Sequence, residues 1–395
     1  MSLIGQRVTV VGGGIGGMAA ALAMAMRGAQ VTILEQAEAI TEVGAGLQIS
    51  PNGAAVLRAL GLGHALDEAG TRARAVELID GIGGRPVLRL DLARLKPDAP
   101  YVFLHRADLI EMLARAAREA GVHLRLLQKI DEVRLGDDHP PQLVTAQGAG
   151  IEAPLLIGAD GLHSKVRQAL NGKVAPFFTH QVAWRALVPC TRDADPVAQV
   201  FMGPGRHIVS YPLRGGRLRN IVAVEERHRW AEESWSATDD PIALQTAFED
   251  FAQPVRGWLD SVEQVNLWGL FRHPVAERWH GHGAAILGDA AHPTLPFLAQ
   301  GANMALEDAW VLAAMLDNHA EPSEALAAYQ AARRDRTVRI VAAANANARN
   351  YHLRGAKKLI GHLGLRIGGA LAPTLALSRF DWLYDFDVTA EAQGG

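Results

Sequence analysis

The chain has 395 residues, 49% of them apolar and 21% charged, an ordinary globular composition. Its length exceeds the usual single-core size, so two domains or one elaborated domain are expected. The formal net charge of −3 gives no reason for a nucleic-acid partner. A single cysteine, Cys190, excludes an intrachain disulfide and a cysteine-based metal site, and fits a reducing, cytoplasmic setting.

The segment from Val8 to Met26 carries no charge and has the length of a membrane span. Gly12, Gly13, Gly14, Gly16 and Gly17 sit inside it, and such a cluster would severely weaken a spanning helix. The segment reads instead as a buried strand at 7–11, a turn over Gly12 to Gly17, and a helix over 18–27 closed by Gly28. No membrane contact is expected. Residues 30–34 form a second strand ending at Glu35, which completes a β-α-β unit. A helix capped at or near Asp108 follows, ending at Gly121, with further strands at 122–127 and 154–157.

Residues 175–270 change character, with more tryptophan and β-like runs at 206–213 and 218–224. These suggest an inserted mixed sheet. From 284 the sequence AAILGD again reads as a buried strand, and alanine-rich helices follow at 303–317 and about 323–350. The arginines at 333–339 fit the solvated face of such a helix. The fold class is therefore α/β. A Rossmann-like domain is expected over 1–75, 100–174 and 272–345, a substrate domain over 76–99 and 175–271, and a C-terminal helical segment over 346–395.

Gly12-x-Gly14-x-x-Gly17 lies between a strand and a helix, with an acid at the end of the next strand. Gly12 permits the tight turn, Gly14 lets the backbone approach a pyrophosphate, and Gly17 lets helix and strand pack. The helix N-terminus offers free N–H groups to the phosphates. Glu35 can accept from ribose hydroxyls. A dinucleotide is expected here, although this pattern alone does not choose between NAD and FAD.

Two further stretches make that choice: LLIGADGLHSKVR at 155–167 and GDAAHPTLPFLAQGANMALED at 288–308. With them the chain resembles the flavoprotein aromatic hydroxylases, the single-component FAD monooxygenases that include salicylate, hydroxybenzoate and hydroxynicotinate hydroxylases. GAGLQISPNG (44–53), HRADL (105–109) and WLYDFD (382–387) add to the resemblance. It implies that Asp289 binds the FAD ribityl and pyrophosphate region, and Arg106 its phosphate or ribose. It also implies that Asp160 holds the dinucleotide side and the nicotinamide approach. The helix starting near Gly301, Ala302 and Asn303 would point its N–H groups at the flavin pyrimidine end, where reduced flavin is negative. His292 reads as structural.

Only one dinucleotide fingerprint is present, which argues against two-Rossmann flavoenzymes, and the resemblance implies that the nicotinamide cofactor visits transiently. By the resemblance, NADH reduces the flavin, O2 forms a C4a-hydroperoxide, and its distal oxygen attacks an electron-rich ring. The substrate class is a small phenolic aromatic or heteroaromatic acid. A phenol reacts best as phenolate, and a histidine base suits that task. In RHIVSYPL, positions 207, 209 and 211 share one strand face. A similar His-x-x-x-Tyr pair in the resembled family marks His207 as base and Tyr211 as ring-orienting residue. Gln48, Pro296 and Phe297 are expected in the substrate pocket. Some resembled enzymes carry glutamine at the place of Pro296, and others carry proline followed by histidine. Phe297 departs from both, which leaves the hydroxylation position open. Arg185 and Arg206 are candidates for a substrate carboxylate, with surface exposure the preferred reading of each.

Glu35, Glu38 and Glu42 would repel an adenosine 2′-phosphate, so NADH is expected over NADPH. A homodimer is implied by resemblance. Two other readings stay open: an isoprenoid or quinone-type flavin hydroxylase, and a flavin-binding protein without turnover. A halogenase is disfavoured, because AWRALVP (183–189) lacks a second tryptophan and a lysine.

Overall fold

The computed structural model describes residues 3–40, 45–191, 194–227 and 238–391. Strand Arg7–Val11 is the centre of a parallel sheet, paired with Gln30–Leu34 on one side and Leu156–Gly158 on the other. Ala284–Ile286 and His123–Arg125 extend it in parallel on the two flanks. Short strand His280–Gly281 closes one edge antiparallel. Val8, Val10, Ile33, Leu156 and Ile157 are buried. Near-continuous apolar strands are what a sheet covered on both faces requires. The first helix, Ile15–Ala25, packs against helix Gly301–Asn318.

That first helix begins three residues earlier than expected. Gly16 and Gly17 belong to it rather than to the turn. A Cβ on Gly17 would lie 1.9 Å from the Gly12 carbonyl oxygen, so glycine here serves close packing, not helix breaking. The next helix, Arg106–Glu119, is capped by His105, whose Nδ1 accepts from the Ala107 N–H at 3.3 Å. The cap expected at or near Asp108 falls three residues earlier, while Asp108 sits in the first turn and pairs with Arg214 at 2.6 Å.

An eight-stranded mixed sheet draws its strands from Ala75–Asp80, Pro86–Asp91 and the stretch between Phe177 and Arg272. Every neighbouring pair is antiparallel except Val197–Gly203 with Ala75–Asp80. Alternation divides its two faces. Val182, Trp184, Ile208 and Ala223 pack on Phe248 and Phe251 beneath two short helices. Ala183, Val224 and Trp268 face the other way, against Leu295 and Phe297. The sheet thereby turns one face toward the loop at 288–300.

Helix Pro322–Tyr351 is continuous for 30 residues, so the expected boundary at 345/346 falls inside it. Helices Gly355–Leu371, Pro373–Ser378 and Asp381–Tyr384 follow. The arginine run at 333–339 is not simply a solvated face. Arg333 is fully buried and Arg336 nearly so, both paired with acids of the preceding helix. Among the described residues no helix is long and apolar enough to cross a membrane.

Candidate active site

A groove runs between the glycine turn of the parallel sheet and the inner face of the mixed sheet. It encloses about 1720 Å³, open mouth included. Its lining takes in both the glycine turn and the inner face of the mixed sheet.

At its nucleotide end lie Gly14, Ile15, Gly16, Arg106 and Asp289. Gly12 has φ +104°, and a Cβ there would lie 2.3 Å from the Ala159 carbonyl oxygen. A Cβ on Gly14 would meet nothing within 4 Å, because that position opens onto the groove. The helix behind it has no capping side chain and no acid in its first turn. Its N–H groups and positive dipole end are left to an anion. Glu35 accepts from the Gly13 N–H at 2.6 Å and the Ala37 N–H at 2.8 Å, which holds the turn. Glu38 is exposed, and Glu42 and Gly44 lie outside the described residues. This end fits a pyrophosphate in shape and charge.

Asp289 follows Gly288, whose φ of +59° turns the acid outward after strand Ala284–Ile286. The turn is held from behind. Asp308 Oδ2 accepts from the Gly288 N–H at 3.0 Å and is also bound by the His292 ring. His292 is fully buried, consistent with its structural reading. Arg333 Nε lies 2.8 Å from Asp308 and Arg333 Nη1 lies 2.7 Å from Glu307. Burial pushes the Asp308 carboxyl up, but His292 and Arg333 outweigh it and bring the group to about 2.

At the ring end, His207, Val209 and Tyr211 all face the groove, as their spacing predicts. His207 is 1% exposed, with Phe297 and Tyr351 rings at 5.6 and 5.1 Å. Its Nδ1 lies 2.7 Å from His352 Nε2. Burial, and then His352, push the His207 imidazolium well below the usual range, so the ring is neutral at neutral pH. Tyr211 stacks on Phe103 at 4.9 Å. Burial pushes its phenol up, against Arg185 and a Gln48 hydrogen bond, so it remains an O–H donor. Gln48 Oε1 also accepts from Tyr101 at 2.7 Å. Pro296 and Phe297 form a tight turn on the opposite wall.

Arg185 lines this end, its guanidinium 4.7 Å from the Trp268 ring centre. Against the expectation of surface exposure, Arg185 is half-buried in the groove wall. Arg185 shares a strand face with Ala183, the face that meets the groove. Arg206 is one residue out of phase with His207 and pairs with Asp250 at 2.6 Å.

Two expected cofactor residues face elsewhere. Asp160 accepts from Ser164 Oγ and from the Lys165 N–H at 2.7 Å, so its carboxylate caps the helix Lys165–Asn171. The Asn303 side chain is buried and donates to the carbonyls of Gln48 (3.0 Å) and Ala299 (2.9 Å). Gly53 makes room for it, since a Cβ there would lie 2.1 Å from Asn303 Oδ1. Gly301 and Ala302 do line the groove, at the uncapped N-terminus of their helix. The acids Glu307 and Asp308 escaped the sequence reading. Their signal was a charged pair inside an otherwise apolar helix.

The FAD binding domain family model matches residues 6–344. A 3-amino-4-hydroxybenzoate 2-monooxygenase of Streptomyces cremeus is 37% identical over 361 residues, covering 88% of each chain. A 3-hydroxybenzoate 6-hydroxylase of Polaromonas naphthalenivorans is 34% identical, covering 96% of each. The structure of Klebsiella pneumoniae HpxO with FAD and uric acid superposes with a TM-score of 0.83 at 24% identity, covering 94% of this chain and 95% of that one, which supports the fold. With a glycine turn, an outward acid and an uncapped helix end around one groove, the chain belongs to the FAD binding domain family and is an FAD-dependent monooxygenase of the aromatic hydroxylase type.

Proposed function

We propose that the protein uses NADH and O2 to hydroxylate a small phenolic aromatic or heteroaromatic acid. The observation that carries this reading is the grouping of His207, Tyr211 and Arg185 around one end of the FAD groove. Arg185 holds the substrate carboxylate, Tyr211 donates a hydrogen bond that orients the ring, and neutral His207 accepts the phenol proton. Phe297 and Pro296 press the ring from the opposite wall and exclude water. Bound FAD, once reduced by the nicotinamide, supplies the oxygen transfer from O2.

Asp289 and Arg106 hold the ribityl and phosphate region, and Glu35 the adenosine ribose through its remaining lone pairs. Asp160 and Asn303 act from behind, keeping the walls in place. Residues 76–99 and 175–271 make up the substrate domain. A lone cysteine and a small polar substrate suit a cytoplasmic enzyme.

The test is NADH oxidation by the FAD-loaded protein across hydroxybenzoates and hydroxynicotinates, with product analysis. A ring that stimulates oxidation and gains one oxygen is the expected result. If no ring stimulated oxidation, the reading would be wrong. NADH should turn over better than NADPH, because the exposed Glu38 would repel an adenosine 2′-phosphate visiting beside the FAD turn; equal rates with both would sink this preference.

Arg185→Met should raise KM for the acid substrate about 10- to 100-fold, the weight of a lost hydrogen bond to a charged group. The same phenol without its carboxylate should be nearly unaffected. A parallel loss for both compounds would remove Arg185 from substrate binding.

A further inference from the structure

His207 lies in a buried wall of the groove, yet its hydrogen bonding leads outward. His207 Nδ1 is 2.7 Å from His352 Nε2, and His352 Nδ1 is 2.9 Å from Glu226 Oε1. Glu226 is 40% exposed and also pairs with Arg354 at 2.7 Å. The two histidines come from places 145 residues apart, on strand Arg206–Leu213 and at the end of helix Pro322–Tyr351. The groups around them are Tyr351, Phe297, Glu226 and Arg354.

We propose that His352 and Glu226 form a proton path from the substrate-facing His207 to solvent. This rests on the hydroxylase reading above. The Glu226 carboxylate only accepts, so His352 must carry its proton on Nδ1. His352 Nε2 is then bare and must receive Nδ1–H from His207. That leaves His207 Nε2 bare on the groove side, ready to accept. The carboxylate thus sets both tautomers from the surface inward.

The transfer balances without any other reactant. The phenol O–H breaks and its proton bonds to His207 Nε2. The His207 Nδ1 proton moves to His352 Nε2. The His352 Nδ1 proton moves to Glu226, whose acid form releases it to water. When the ring regains a proton on forming product, the same steps run backward and restore both tautomers.

Burial explains why such a path is needed. A charged imidazolium is strongly disfavoured at His207, which has no carboxylate beside it. His207 can pass a proton on but cannot store one. At His352 burial also lowers the affinity, while Glu226 raises it.

The experiment has two arms. Nitrogen-15 spectra of the histidine rings in the FAD-loaded protein should show Nδ1–H on both His207 and His352. An Nε2–H tautomer at His207 would overturn the path, and this arm uses no substrate. With 3-hydroxybenzoate as probe, His352→Gln and the exposed Glu226→Gln should each lower kcat about tenfold at pH 7, less than loss of the base itself. KM should hold, and the loss should fade toward the phenol's own pKa. Added imidazole should partly restore His352→Ala. Unchanged kcat and pH profile in both glutamine variants would overturn the path. If the tautomers are as stated but no ring stimulates the wild type, the fault lies with the hydroxylase reading.

Discussion

His207→Ala is expected to lower turnover of the phenolic substrate about 100-fold at pH 7, the lower end of what a positioned general base contributes. FAD retention should not change, because His207 sits on a strand of the mixed sheet, whereas Gly14 and Asp289 belong to the turns that follow strands of the parallel sheet. The pH dependence carries the sign. A free phenol ionises near pH 10, so below that the enzyme must remove the proton itself. The loss should be largest at neutral pH and shrink as the solution approaches that value. Steady-state rates of NADH oxidation coupled to product, taken from pH 6 to 10, measure it. A uniform loss at every pH would point to lost packing against Phe297 and Tyr351 rather than to a lost base.

Arg333→Ala should destabilise the fold by roughly 3–5 kcal/mol, the cost of removing the cation shared by two buried acids. Glu307 and Asp308 are both fully buried. Arg336, with contacts of 2.8 and 2.9 Å, would remain for Glu307, and His292 for Asp308. The effect reaches the site, because Asp308 also receives the Gly288 N–H that aims Asp289 into the groove. FAD affinity should fall together with the urea midpoint. A shift below about 1 kcal/mol, the scale of an exposed pair, would mean that the two acids had taken up protons or water.

The same network sets an acid limit. The native Asp308 carboxyl titrates at about 2, whereas an unfolded aspartate titrates near 3.9. A depressed native value stabilises the fold above pH 4, and that stability is lost as pH falls through about 2. Roughly 2–3 kcal/mol should disappear over this window. In Arg333→Ala the acid side of the stability profile should move upward.

Much of the site is local, and local features are legible in a sequence. The glycine spacing at 12–17 reports a turn, a close backbone approach and a packing contact, all within one β-α-β unit. Strand alternation placed His207, Val209 and Tyr211 on one face, and the groove lines that face. Gly288-Asp289 reads in the same way, as an acid turned out at a strand end.

Other features depended on partners far along the chain. Arg185 and Arg206 look alike in the sequence; strand phase and sheet packing put one beside Trp268 in the groove and the other beside Asp250. Arg333 belongs to a run that reads as a solvated face, and it is buried only because Glu307 and Asp308 meet it from the neighbouring helix. Asp160 and Asn303 spend their polar atoms on backbone groups that the fold brings to them. His352 meets His207 across 145 residues. The sequence alone determined the β-α-β turn and the strand faces, because backbone geometry makes these periodic and short-range, while the cofactor class came from the family resemblance that its motifs carry. Only the tertiary structure decided which charges are buried and which nitrogen faces which, because desolvation is tolerated only where a distant partner arrives.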